Sequence, residues 1–85
     1  MTLAKGEIVE RVVTYVVKSI VDDSDAVQVT LLEQGPDDFL AEVRTAKPDM
    51  GRVIGRRGRV AKAIRAAASA AGEEEGINAG VEFLD

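Results

Sequence analysis

Val53-Ile54-Gly55-Arg56-Arg57-Gly58-Arg59 places two glycines three apart, between two apolar-periodic segments, with three arginines beside them. Glycines at both ends of such a turn open backbone torsions closed to other residues. They also remove the Cβ atoms that would hold a sugar-phosphate strand away from the peptide N–H groups. The arginines add charge-assisted, often bidentate donors for phosphate oxygens, and a helix starting after Gly58 offers its N-terminal N–H groups to the same anion. The pattern is that of a backbone-phosphate clamp, and the ligand it implies is a single-stranded nucleic acid.

Outward from this turn, the chain reads as alternating helices and strands. Upstream, Pro48 suits the first turn of a short helix that stops at Gly55, with Asp49 near the positive end of its dipole. Downstream, Arg59 to Ala71 is alanine-rich and reads as a helix ended by Gly72, with Val60, Ile64, Ala67 and Ala71 as its core stripe and Arg59, Lys62, Arg65 and Ser69 opposite. Glu73-Glu74-Glu75-Gly76 reads as a solvated loop, and Ala79 to Leu84 as a last strand with Val81 and Phe83 inward. Near the start, Ile8, Val9, Val12, Val13, Val16, Val17 and Ile20 recur at three- and four-residue steps, predicting an amphipathic helix over Glu7 to Val21. A strand would send Val12 and Val13 to opposite faces. After the polar turn Asp22 to Asp25, the segments Ala26 to Glu33 and Phe39 to Thr45 alternate as half-buried strands. Gln34 to Asp38 between them suits an antiparallel hairpin. The order is αββααβ, an α+β domain.

With that order in view, Ile54-Gly55-Arg56-Arg57-Gly58, followed six residues on by Ile64, resembles the I-G-x-x-G core of the KH domain. Met50-Gly51-Arg52-Val53 before it is similar to the small bacterial single-KH RNA-binding proteins of the KhpA type. The resemblance implies a type II KH domain over residues 1–85, a three-stranded mixed sheet backed by three helices, behind a short flexible N-terminus at residues 1–5. It implies RNA binding, a post-transcriptional or RNA-chaperone role linked to cell elongation and division, and self-association or pairing with a larger KH protein of the Jag type. Only the two glycines, Arg56, Arg57 and the adjoining apolar positions carry over as ligand-binding.

Composition narrows the alternatives. A chain of 85 residues is one domain, and one of this size buries only roughly 60–65% of its unfolded surface, so modest stability is expected. Cysteine and histidine are both absent, which removes thiol and imidazole nucleophiles, disulfides and the commonest zinc ligands; an enzyme, a metal site and a cofactor are not expected. Ile8 to Val21 is interrupted by Glu10, Arg11 and Lys18, so it reads as neither a membrane span nor a secretory signal core, and a cytoplasmic protein is expected. Net charge is −4, yet Arg52, Arg56, Arg57, Arg59, Lys62 and Arg65 hold six of the eleven basic residues and no acid lies between Asp49 and Glu73. Local field decides where phosphate is attracted. The acidic remainder confines RNA to one face.

The RNA-binding set is therefore Gly55, Arg56, Arg57 and Gly58, with Ile54 touching a base and Arg59, Arg52 and Lys62 contributing charge as a field. Taken singly, the last three also fit a solvated helix face. Val53 and Ile64 weigh towards the core. Aromatic residues are few: Phe39 and Phe83 fall on core faces and Tyr15 alone is a candidate for exposure, so base stacking on rings is not the expected mode of recognition. Weak sequence preference over about four nucleotides follows. Ala63 and Ala70 sit on one flank of the last helix and fit either tight packing or a dimer interface. Two rival functions remain: an adaptor that docks a second KH protein with RNA secondary, and helix-turn-helix DNA binding, which the flanking strands disfavour.

Overall fold

The computed structural model describes residues 4–85, so most of the expected flexible N-terminus, residues 1–3, lies outside the described residues. Lys5, within that lead-in, donates to the Pro36 carbonyl at 3.1 Å and pairs with the Asp37 carboxylate at 2.6 Å.

Helix α1, Glu7–Ile20, turns one row of valines inward: Val9, Val13 and Val17, spaced by four, are all fully buried. The solvent side carries Arg11, Tyr15, Lys18 and Ser19, and Tyr15 is 75% exposed. A short 3₁₀ turn, Ser24–Ala26, then delays the first strand, so β1 runs Gln28–Gly35 rather than from Ala26. Strand β2, Asp38–Arg44, pairs antiparallel with β1, Val29 opposite Val43 and Leu31 opposite Ala41. The hairpin is tighter than the turn residues suggested. Gly35 stays in the ladder opposite Asp38, past a register irregularity that leaves Gln34 without a partner, so that only Pro36 and Asp37 separate the two strands.

The chain next makes a 3₁₀ turn, Lys47–Asp49, and a five-residue helix α2, Met50–Ile54. Helix α3, Arg59–Glu75, leads into β3, Asn78–Leu84, which lies parallel to β2 with Ala41 beside Val81 and Val43 beside Phe83. The strand order β1-β2-β3 puts β2 in the middle of a mixed sheet. Phe39, Ala41, Val43 and Val81 pack from the sheet against the valines of α1, Val53 of α2 and Ile64 of α3. This is the αββααβ order of a type II KH domain.

Two expectations near the end of α3 need correction. Gly72 does not end the helix, which continues through Glu75 and stops at Gly76, where φ is 71° and the Ile77 N–H returns to the Gly72 carbonyl at 2.9 Å. Gly72 is a glycine for lack of space: a Cβ there would lie 2.8 Å from the Ile77 carbonyl oxygen and 3.1 Å from the Ala79 Cβ. Glu73 to Glu75 are consequently helical, not a loop. The core stripe of α3 is also rotated. Ala61, Ile64, Ala68 and Ala71 are buried, while Val60 and Ala67 are half-buried at its margin. The small side chains of Ala61 and Ala68 leave room for the valine-rich α1 to pack closely on α3.

Among the described residues, no helix is long and apolar enough to cross a membrane, and no group of three or more acidic side chains is placed to hold a metal ion.

Candidate nucleic-acid interface

Helix α2 ends where the Gly55 N–H donates to the Gly51 carbonyl at 2.9 Å, and the Gly58 N–H then closes the turn on the Gly55 carbonyl at 3.1 Å. Gly55 adopts φ 75°, ψ 172°, a conformation open essentially to glycine alone. Space forbids a side chain as well, since a Cβ would come 2.5 Å from Val60 Cγ2 and 2.9 Å from the Val60 backbone nitrogen. Gly58 is left-handed at φ 71°, ψ 17° but faces open space. Between them Arg57 is also left-handed, φ 58°, ψ 25°, the one non-glycine residue with positive φ among the described residues. A left-handed L-residue costs about 1–2 kcal/mol, and strain of this kind clusters at functional sites.

Arg56, Arg57, Arg59 and Lys62 are all exposed, and among the described residues none has a carboxylate within ion-pair distance. The first turn of α3 has no side-chain cap, which leaves backbone donors beside the same arginines. Ile54 is half-buried next to Gly55, whereas Val53 and Ile64 are buried in the core. The turn therefore gathers Ile54, Gly55, Arg56, Arg57, Gly58 and Arg59, with Lys62 a helical turn further on. Arg52 is engaged elsewhere. Its Nη2 pairs with Asp22 at 3.0 Å and its Nε lies 3.6 Å from Asp49, so its charge is in part neutralised. Ala63 and Ala70 are exposed on α3.

The roles of two acidic residues that hold this arrangement escaped the sequence reading. Asp49 is 2% exposed, and its carboxylate accepts the backbone N–H groups of Asp22 at 3.1 Å and Asp23 at 3.0 Å. Those two amides, Asp23 first, hold its carboxyl below the ordinary value against the opposing effect of burial, with Arg52 adding to the lowering. Asp49 thus ties the end of α1 to the start of the helix that leads into the turn. Glu75 accepts from Gly6 N at 2.8 Å and Val9 N at 3.1 Å, capping α1 from the far end of α3. For Asp49 the neighbouring Pro48 signalled a helix start, but nothing local marked burial. For Glu75, preceded by two other glutamates, there was no local signal at all.

The chain is similar to known proteins over most of its length. A profile described as the KH domain of KhpA/KhpB matches residues 10–83. The chain belongs to the KhpA/KhpB KH-domain family. It is 37% identical to the RNA-binding protein KhpA of Borreliella burgdorferi over 73 residues, 86% of this chain and 88% of that one. To the RNA-binding protein KhpA of Clostridium acetobutylicum it is 42% identical over 69 residues, 81% of this chain and 91% of that one. The protein of that name from Leifsonia xyli is 52% identical over a shorter stretch of 52 residues, 61% of this chain and 67% of the other. Among solved structures, a variant of Era from Aquifex aeolicus superposes with a TM-score of 0.70 over 99% of this chain at 16% identity. The chain spans 32% of that larger protein, and the likeness shows the shared KH fold.

Proposed function

We propose that this KH domain binds single-stranded RNA, gripping its backbone in the Gly55–Gly58 turn. The observation that carries the reading is the turn itself: positive φ at Gly55, Arg57 and Gly58, two exposed arginines without acidic partners, and an uncapped helix start immediately after. Gly55 and Gly58 let a phosphate approach the backbone, Arg56 and Arg57 supply charge-assisted hydrogen bonds, and Ile54 offers an apolar contact to a base. Arg59 and Lys62 extend the field along α3. The contribution of Arg52 is the smallest, because it is paired with Asp22. The name RNA-binding protein carried by the KhpA relatives supports the same ligand. On this reading the protein acts in the cytoplasm as a post-transcriptional regulator or RNA chaperone, in processes of cell elongation and division, and without enzymatic chemistry. A competition titration tests it: single-stranded RNA should displace a labelled RNA strand where duplex DNA does not, and preferential displacement by the duplex overturns it.

A second reading, self-association, is favoured by one feature of α3. Ala63, Ala66 and Ala70 are exposed along the helix, with Arg59 and Lys62 towards its start and Glu73 and Glu74 towards its end. Antiparallel pairing of two copies brings the basic end of each helix against the acidic end of the other, across a seam of small side chains that permits close approach. The same face suits a second KH protein of the Jag type. Ala70→Glu should then give a folded monomer in sedimentation, and a wild type already monomeric at high concentration removes this face as the interface.

A further inference from the structure

Arg65 lies on the exposed arc of α3, on the three-residue ridge that runs through Arg59 and Lys62. Its side chain is held in two ways. Nε donates to the Val81 carbonyl at 3.2 Å, and the guanidinium carbon sits 5.3 Å from the centroid of the half-buried Phe83 ring. Both contacts are with β3, an edge strand. The guanidinium is therefore held over the ring and by one hydrogen bond, while Nη1 and Nη2 have no acceptor among the described residues. Arg65 follows Gly58 by seven residues of helix, about 10 Å at 1.5 Å per residue, within reach of the same short strand of RNA.

We propose that Arg65 is a base-reading residue, its free Nη1 and Nη2 forming a fork that selects guanine through O6 and N7 in the nucleotide seated at the β3 edge. The inference rests on the RNA-binding reading above and adds a sequence preference to it. Two features favour a base over a phosphate. The guanidinium is immobilised, so little rotamer freedom remains to be lost on binding. It also lies over an aromatic ring at a strand edge, where a base has apolar surface to cover, whereas the exposed arginines of the turn stand beside open backbone donors. Guanine presents two adjacent acceptors, O6 and N7, at the spacing of two guanidinium nitrogens; adenine and uracil present no such pair, and cytosine presents one only on its Watson–Crick edge, at N3 and O2. If Arg65 only shielded an edge strand, it would affect stability and leave all bases equivalent.

Binding of short oligouridines carrying a single guanine, adenine or cytosine at successive positions, followed by fluorescence anisotropy, reads the preference directly. Wild type should bind one guanine register about tenfold to a hundredfold more tightly than its adenine counterpart. Replacing that guanine by 7-deazaguanine, which lacks the N7 acceptor, should remove most of the gain without altering the protein. In Arg65→Lys, which keeps the charge and loses the fork, the guanine-to-adenine ratio should collapse to within about twofold. The proposal is overturned if wild type binds plain oligouridine yet shows no guanine register, if cytosine or 7-deazaguanine is as good as guanine, or if Arg65→Lys retains the ratio. Failure to bind any of these RNAs, plain oligouridine included, overturns the RNA-binding reading itself along with this one.

Discussion

Replacing each glycine of the turn by alanine should have unequal consequences, because Val60 crowds Gly55 and nothing crowds Gly58. At Gly55 an added Cβ meets Val60 Cγ2 at 2.5 Å, Val60 Cβ at 2.8 Å and Val60 N at 2.9 Å, and the backbone sits at φ 75°, ψ 172°. The torsion costs about 1–3 kcal/mol and the overlap about the same again, so Gly55→Ala should lose about 2–6 kcal/mol. At Gly58 the φ of 71° is also left-handed but nothing lies within 4 Å, so only the torsion is paid for, about 1–2 kcal/mol. Reduced entropy of the unfolded chain returns about 0.4–1 kcal/mol to both variants and leaves the contrast intact. For a domain of this size each kcal/mol moves the melting temperature by about 4–8 °C, so thermal melts separate the two easily. Adding Val60→Ala to Gly55→Ala should recover only part of the loss, since Val60 Cβ and N remain in place. Equal melting temperatures for Gly55→Ala and Gly58→Ala, or a larger loss at Gly58, would refute the reasoning.

Arg57→Asn should stabilise the fold by about 0.5–1 kcal/mol, because asparagine tolerates the left-handed conformation, while weakening RNA binding; melts and titrations on the same sample check both. Removing the cap with Glu75→Ala should cost about 1–2 kcal/mol and accelerate amide exchange at Gly6 and Val9, the two groups its carboxylate serves. Asp49 titrates below its ordinary value of 3.8 in the folded protein, so its stabilisation is fully present above that value and is lost as pH falls through the folded one. Melting temperature followed from about pH 5 to about pH 2 should therefore fall less steeply in Asp49→Asn than in wild type.

The element order and the inward faces of α1, β2 and β3 were legible because each rests on periodicity within a few residues. Val9, Val13 and Val17, or Phe39, Ala41 and Val43, announce their face without reference to the rest of the chain. The glycine turn was legible for the same reason, although Arg57, with no glycine's freedom, gave no hint of its left-handed backbone. What was hidden depends on partners far along the chain. Gly72 reads locally as a helix stop, and only the returning strand at Ile77 and Ala79 shows it as a contact point inside a longer helix. Glu75 caps an amide 69 positions away, and Asp49 serves amides 26 and 27 positions away; in isolation each is one more surface acid. The stripe of α3 was misplaced because its seven alanines cannot mark a face, and the valines of α1 decide which alanines are covered.

The central claim, that the Gly55–Gly58 turn is the RNA clamp, is tested most directly by the double variant Arg56→Asp, Arg57→Asp titrated with single-stranded RNA at several salt concentrations. Both side chains are exposed and unpaired, so circular dichroism should show an intact fold. Wild type should weaken with salt along a log–log slope of roughly −1.4 to −2.8, corresponding to about two to four phosphate contacts on a single strand. The variant should show no binding at any of these salt concentrations. A folded variant that binds as tightly as wild type, with the same slope, would place the clamp elsewhere on the molecule.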